Sequence, residues 1–572
     1  MNTHPFSSAE NASPVSSIWG ASSFLERTLL VLLCMSALIS GAFFLYDATL
    51  RMTEVRPAQG GHFTEGIVGT PRFINPLLAQ SQADQDLTIL MYSGLMRALP
   101  DGTIVPDLAS SYEVSEDGTV YTVTLRDDAV FHDGKKVTVD DVLFTIMEAQ
   151  DPALQSPQEE VWLGIRVQAL DSRTITFSLS RPYASFLENL TLGILPKHLW
   201  GNIPPEEFAA HVLNTEPVGS GPFELDSVSR NGSGIPETYT LSAFDDSTRG
   251  RPHMNEIRLR VYGNQKDLIS AYLNGDVDSL DSLNPSDAHA LQENGADIQE
   301  YQLPRVFGIF FNQNKNDVLT KSAVREALSE AIDRQAILND VLFGFGESLE
   351  TPLPTHLYTP KNQDTRTPEE HIASAQAILE KAGFEKNEKS GLYEDDGVPL
   401  SITLSTANTE ELKDVAEKVA KNWRELGVDA SVELFDIGQL HHEIIRPRAY
   451  EALLFGQVVG RDGDVYPFWH SSQRNDPGLN VALYANIRVD AILENIRATL
   501  DPKTRSDLYA DFVDEIESDT PAVFLYTPHL LYIAPRNVSG MHVGVVHTPA
   551  ERFLDVQDWY VRTERIWKFL LN

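Results

Sequence analysis

The chain has 572 residues, too many for one hydrophobic core, so two or three lobes are expected. With 82 acidic against 45 basic side chains its net charge is −37, which argues against nucleic-acid binding and against adsorption to anionic lipid. A single cysteine, Cys34, excludes an intrachain disulfide and a cysteine-based metal cluster, while a large domain needs neither to live outside the cytoplasm.

Residues 1–27 are rich in Ser, Ala, Asn and Pro and read as a disordered tail. Thr28 to Tyr46 carries no charge. At about 1.5 Å per residue it just spans a ~30 Å hydrocarbon core. A cleaved signal peptide and a lipoprotein signal are the alternatives. The preceding tail lacks a basic segment, Phe43-Phe44-Leu45 prolongs the apolar run past Ser40-Gly41-Ala42, and Cys34 follows leucines in mid-span. An uncleaved single-span anchor is the favoured reading. Arg27 on one side and Arg51 and Arg56 on the other do not fix its orientation. Asp47 to Gly61 reads as a linker.

After it comes the loop Gly69-Thr70-Pro71-Arg72-Phe73-Ile74-Asn75-Pro76, whose glycine and prolines fix an irregular backbone. Asp84 to Met96 is expected to be helical and contains Tyr92-Ser93-Gly94-Leu95. Asp117-Gly118 predicts a tight hairpin turn. Tyr121, Val123 and Leu125 then alternate with Val120, Thr122 and Thr124 as one face of a strand. A turn at Asp133-Gly134 leads to a helix opened by Thr138, with Asp140 and Asp141 in its first turn and Val142 and Phe144 on its apolar side. Thr174–Leu179 and Ile257–Tyr262 read as strands. Pro217-Val218-Gly219-Ser220-Gly221-Pro222-Phe223 lacks the third glycine and lysine of a phosphate loop and precedes no helix.

From Pro304 the pattern changes. Val306–Asn312 is a buried strand candidate, followed by a helix with Val324, Ala327, Leu328, Ala331 and Ile332 on one face and Glu330 placed to pair with Arg334. Thr367, Pro368 and Glu370 form a capping box for a helix that ends at Gly383. Leu412 to Leu426 is a helix closed by Gly427, and Val428 to Leu434 alternates as a strand, a pairing typical of α/β layers. Asp501-Pro502 opens a helix bearing Leu508, Phe512 and Ile516, before the apolar strand Ala522–Tyr526.

The most site-like stretch is Gly456 to Ser472, which sets Arg461, Asp462, Asp464, Tyr466 and Trp469 among glycines. A buried carboxylate there gives a charge-assisted bond to an ammonium group; the plainer reading is a solvated acidic turn. A calcium loop fails, because Tyr466 and Pro467 occupy the next ligand and glycine positions. Adjacent His441-His442 cannot share a ligand face on a helix, and His132 and His470 are isolated in sequence. No H-E-x-x-H motif and no nucleophile elbow is present.

Several of these words, in order, resemble the family 5 solute-binding proteins, the peptide- and nickel-binding receptors of ABC importers. They are Leu108-Ala109, Asp117-Gly118, Leu125-Arg126, Phe131-His132-Asp133-Gly134 and Thr138 through Phe144. The loop at Gly69, Tyr92 to Leu95, Leu195-Pro196-Lys197-His198, Pro217 to Phe223, Val324 to Leu328 and Ala331 to Arg334 agree. The likeness covers roughly 62–540. It implies an α/β, two-lobed periplasmic-binding-protein-like fold of the type II, large peptide-binding subclass, preceded by one transmembrane helix. The implied division is a tail at 1–27, an anchor at 28–46, a linker at 47–61, lobe I at 62–303, lobe II at 304–527 and a return to lobe I at 528–572.

The resemblance further implies a non-enzymatic, monomeric receptor without cofactor or metal. It would be held outside the membrane, bind a peptide or other small solute by hinge closure, and deliver it to permease subunits. Asp464 and Asp462 would face the ligand's amine, with Arg461, Tyr466, Trp469, Thr70, Phe73, Tyr92, Gly219 and Ser220 as further contacts. Gly463 and Gln457 depart from the family's usual proline and tryptophan. A hydrolase using the acid pairs Asp462/Asp464 or Asp140/Asp141, and a peptide sensor without transport, are the rival readings.

Overall fold

The structure is a computed structural model that describes residues 23–359, 366–461, 463–542 and 544–570. The N-terminal tail to residue 22 lies outside the described residues. The chain divides into two compact bodies: a large one, Gln59–Val561, and a small one made of the chain up to Ala58 with the segment from Arg562.

The small body starts with the Phe24–Met52 helix, opened by a capping box between Ser23 and Glu26 and long and apolar enough to cross a membrane. The stretch expected to be a linker is ordered instead. Thr53–Ala58 is a strand paired antiparallel with Arg562–Trp567, Thr53 opposite Trp567. β-branched Thr53 and Val55 and a C-terminal Thr563-Glu564-Arg565-Ile566 run suit a two-stranded ribbon, which the N-terminal stretch alone did not reveal.

In the large body a 12-stranded sheet runs from Asp429–Phe435 at one edge to Phe223–Arg230 at the other. Its joint is the long strand Ala522–Ile533. The first half pairs antiparallel with Arg305–Phe311, and the second half with Ile298–Gln302, Leu303-Pro304 interrupting the partner. On one side of the joint lie the parallel strands Ser401–Ala407 and Asp429–Phe435, with Ala452–Val458. On the other lie His62–Val68, Glu256–Tyr262 and the Phe223–Arg230/Pro236–Ala243 hairpin. A separate four-stranded sheet holds the Ala109–Val114/Val120–Leu125 hairpin, in which Tyr121, Val123 and Leu125 face the core as the alternation predicts.

Apolar faces gather into distinct cores. One contains Phe63, Leu87, Tyr121, Trp162 and Trp200, and the returning residues Phe553, Val556 and Trp559 complete it. A second is built on Val324, Leu328, Leu404 and Trp423, and a third on Phe310, Trp469 and Phe512. Thr367 and Asp501 open their helices and Gly427 closes its own, as read from sequence. Two helices end earlier than expected. Gln82–Met91 stops at Tyr92, where the chain turns to pass Gly94 against the backbone of Thr191. Ser322–Glu330 stops before Arg334, which opens a new helix. Glu330 pairs with Arg366, and Arg334 Nε donates to the Phe524 carbonyl at 2.8 Å.

Candidate functional site

The Ala452–Val458 strand ends beside the crossing strands, where Val459 donates its N–H to the Pro304 carbonyl at 2.7 Å. The loop that follows reaches across to the segments of the first core. Arg461, 8% exposed, meets Glu551 at 2.5 Å and lies 3.6 Å from Glu188. Gly463 has φ +79°, and a Cβ there would stand 2.5 Å from the Tyr509 hydroxyl, so the residue that loosened the family pattern is one the packing requires.

Asp464, expected to face the ligand's amine, has a partner within the protein. Arg497 binds it in a fork, Nη2–Oδ2 2.6 Å and Nε–Oδ1 2.9 Å, while the guanidinium lies 3.9 Å above the Tyr466 ring. The Arg497 carbonyl accepts the Ala184 N–H at 2.9 Å. Asp462 lies outside the described residues.

Two neighbouring cavities result. The larger, about 790 Å³, is lined by Asp464, Tyr466 and Arg497 from one side and by Tyr183 and Asn189 from the other. The smaller, about 250 Å³, is lined by Tyr92, Arg97, Arg249, Glu188 and Glu551, with Arg461 closing it from across the cleft. Helical spacing explains one wall: Gln85, Thr88, Ile89 and Tyr92 fall at i, i+3, i+4 and i+7 along the helix that Ser81 caps.

Polar groups along the smaller cavity are incompletely satisfied. Arg461 Nε and Nη1, Arg97 Nη1, the Thr88 hydroxyl and the Tyr92 hydroxyl are buried without a hydrogen-bond partner. Burial raises the Tyr92 phenol well above its ordinary value, so it remains a donor. Burial likewise raises Glu551, against the pull of Arg461. His547, whose Nδ1 is 3.5 Å from Glu188, is pushed down to about 3 by burial and by the charge of Arg461, and is therefore neutral.

The other expected contacts lie elsewhere. Trp469 is fully buried against Phe310, Tyr484, Phe512 and Phe524, a core position rather than a stacking surface. Gly219 and Ser220 press on the end of the Gln82–Met91 helix. A Cβ on Gly219 would meet the Met91 carbonyl at 1.9 Å, and Gly221 donates to that same oxygen at 2.9 Å. His132 braces this turn. It accepts the Gly219 N–H through Nδ1 at 3.2 Å, and burial lowers it to about 4. Thr70 is exposed, and Phe73 packs against the first core while Asp84 receives its N–H at 2.8 Å. The acid pair Asp140/Asp141 does no cleft chemistry. Asp141 closes the capping box with Thr138 and receives the Lys197 N–H at 2.8 Å. Among the described residues no group of three His, Cys, Asp or Glu is arranged to hold a metal ion.

Sequence reasoning therefore found Arg461 and Tyr92 at the smaller cavity and Asp464 and Tyr466 at the larger. It missed Thr88, Arg97, Glu188 and Glu551. The polar stripe at Gln85, Thr88 and Tyr92 was readable as a helical face. Glu551 reaches Arg461 across 90 residues of chain, and no local signal announces it.

Residues 103–477 match the family described as bacterial extracellular solute-binding proteins, family 5. The oligopeptide-binding protein AppA of Bacillus subtilis is 26% identical over 553 residues, covering 94% of this chain and 100% of that protein. The nickel-binding periplasmic protein of Escherichia coli is 27% identical, covering 91% and 96%. The solved structure of the Bacillus subtilis AppA in complex with a nonapeptide superposes with a TM-score of 0.68 over 89% of this chain and all of that one.

Proposed function

Because this chain belongs to the family 5 bacterial extracellular solute-binding proteins, which serve ABC transporters as binding proteins and not as enzymes, we propose that it is the receptor of an importer for peptides. In this reading its lobes, 62–303 with 528–572 and 304–527, close on a solute by bending at the Leu303-Pro304 interruption beside the Ala522–Ile533 strand. Closure is a population shift driven by the ligand's preference for the closed form. The closed receptor, a monomer, then docks on permease subunits. The Thr28–Tyr46 span holds it to the membrane uncleaved, with the large body outside.

The observation that carries the reading is the set of contacts across the cleft, Arg461 to Glu551 and Glu188 and Ala184 to Arg497, beside two cavities. Peptides lead among solutes because the relative matched along its whole length is an oligopeptide-binding protein. Asp464 is proposed as the partner of the peptide's amine, sharing its carboxylate with Arg497, since a carboxylate offers about four acceptor sites.

Native mass spectrometry of the protein as purified tests the function. A retained solute that fragments as a peptide supports it, and a retained metal chelate or sugar redirects the ligand class. Protease added to intact spheroplasts should remove the large body; its survival contradicts the extracytoplasmic, importer reading.

A further inference from the structure

We propose that the solute bound in the smaller cavity presents a carboxylate to Arg461, Arg97 and Tyr92. The inference rests on the receptor reading above and names the chemistry of its ligand.

Three arginines and two glutamates line the cavity, so its wall carries one net positive charge. Arg249 is committed to Asp107 at 2.8 Å, one terminal nitrogen of Arg461 is committed to Glu551, and its Nε faces Glu188 at 3.6 Å, beyond hydrogen-bond reach. What remains without a hydrogen bond is a set of donors: Nε and Nη1 of Arg461, Nη1 of Arg97 and the hydroxyls of Tyr92 and Thr88. Every one is an N–H or O–H, and the hydroxyls can turn to donate. A partner that fits five donors must be rich in acceptors, and a carboxylate is acceptor-only.

With Nη2 of Arg461 held by Glu551 no bidentate fork is left, but Nε and Nη1 flank it and each can donate to one acceptor oxygen. An ammonium ligand would add donors where donors already lack partners, and would face Arg97 and Arg461 at close range. The volume, about 250 Å³, suits the end of a solute more than a whole oligopeptide. Asn189, the residue after Glu188, lines the larger cavity, where the rest of the molecule would lie.

The same arrangement gives the ligand leverage on closure. Arg461 comes from the loop after the Ala452–Val458 strand, whereas Tyr92, Arg97 and Glu551 belong to the first-core side. In the closed form these donors are sealed from water. Each buried donor without an acceptor is costly, so closure over a carboxylate is favoured relative to closure over nothing.

The test is a thermal-shift screen of the purified full chain in detergent against matched pairs. Peptides of two to five residues, hydroxy acids and sugar–amino acid conjugates are each offered as free acid and as neutral amide. The expected stabilising compounds are free acids, with the shift lost in their amides. Calorimetry on the best acid should then show roughly thirtyfold or greater weakening in Arg461→Gln. Tyr92→Phe should weaken it roughly tenfold. Arg461→Gln also releases Glu551, so its ligand-free melting is recorded beside it. Tyr92→Phe removes one oxygen and carries the test if the arginine variant does not fold. Amides that stabilise as well as acids, or unchanged affinity in Tyr92→Phe, overturn the carboxylate seat and leave the receptor reading standing. If no compound of either kind stabilises the protein, both fall.

Discussion

Arg552 and Arg461 are both arginines shut away from water, and they differ in what surrounds them. Arg552 is fully buried in the first-core side. Glu65 takes Nε at 2.7 Å, Asp86 takes Nη1 and Nη2 at 2.8 and 3.0 Å, and Asp281 stands 3.3 Å away. The Pro549 carbonyl takes a further bond, and the guanidinium lies 4.1 Å over the Phe553 ring. Tyr532 and Ser279 donate to Glu65, so even the anions are satisfied. Arg461 has one short partner, Glu551, a more distant one in Glu188 at 3.6 Å, and two donor atoms that make no hydrogen bond. A saturated buried charge ties chain segments together, here 65, 86, 281 and 552. An unsaturated one at a cavity leaves its bonding capacity for something that arrives. The comparison separates scaffold from site using hydrogen-bond accounting alone.

The largest effect should come from the saturated side. Arg552→Met leaves three buried carboxylates without their cation and is expected to cost about 3–5 kcal/mol in denaturant unfolding. A loss under about 1 kcal/mol would mean the cluster does not hold the lobe, and the contrast would fail. Next comes a matched pair of tyrosines. Tyr532→Phe removes a hydroxyl that donates to Glu65 at 2.9 Å and should cost about 1.5–3 kcal/mol. Tyr92→Phe removes a hydroxyl with no acceptor and should be neutral or stabilising without ligand. Equal costs for the two would erase the distinction.

pH dependence sharpens the same contrast, because the two regions respond with opposite sign. His547 beside the cavity is held down to about 3, below its unfolded value near 6.5. Its unfolded form gains a proton that the folded form refuses, so stability falls as pH drops below about 6.5, by up to about 1.4 kcal/mol per unit. Relative to wild type, His547→Gln should gain stability between pH 7 and pH 5. In the cluster, burial raises Asp281 to about 7. The folded state then keeps a proton that the unfolded state loses, so stability falls as pH rises from about 4 through about 7. Asp281→Asn should therefore gain on wild type steadily from about pH 4 to pH 8. The smallest effect is Asp464→Asn. Its partner Arg497 is 31% exposed and Asp464 itself 12%, and the neutral amide can still accept from the guanidinium, so the fold should lose only about 1 kcal/mol.

How much of this was legible in the sequence follows from the range of each interaction. Local rules read the Asp117-Gly118 hairpin, the alternation of Tyr121, Val123 and Leu125, and the caps at Thr367, Gly427 and Asp501, because each is settled within a few residues. The ribbon at Thr53–Ala58 was read as a linker because its partner lies at Arg562–Trp567, some five hundred residues on. The loop after Val458 stands out in the sequence, yet the partners of its side chains do not. Asp464 is answered by Arg497, 33 residues later, and Trp469 faces inward to the core. Composition named an acidic, aromatic loop. Only the tertiary arrangement tells that the acid is already held by Arg497 and that Arg461, paired with Glu551, keeps two donor atoms without a hydrogen bond.

The account's central claim is that the donors left over at Arg461, Arg97 and Tyr92 are those a bound solute completes. Crystallography of the protein with the solute it retains measures this directly. The account predicts acceptor oxygens of a carboxylate within about 3 Å of Arg461 Nε or Nη1 and of the Tyr92 hydroxyl. A solute seated in the cleft with those donors still unpaired would contradict it.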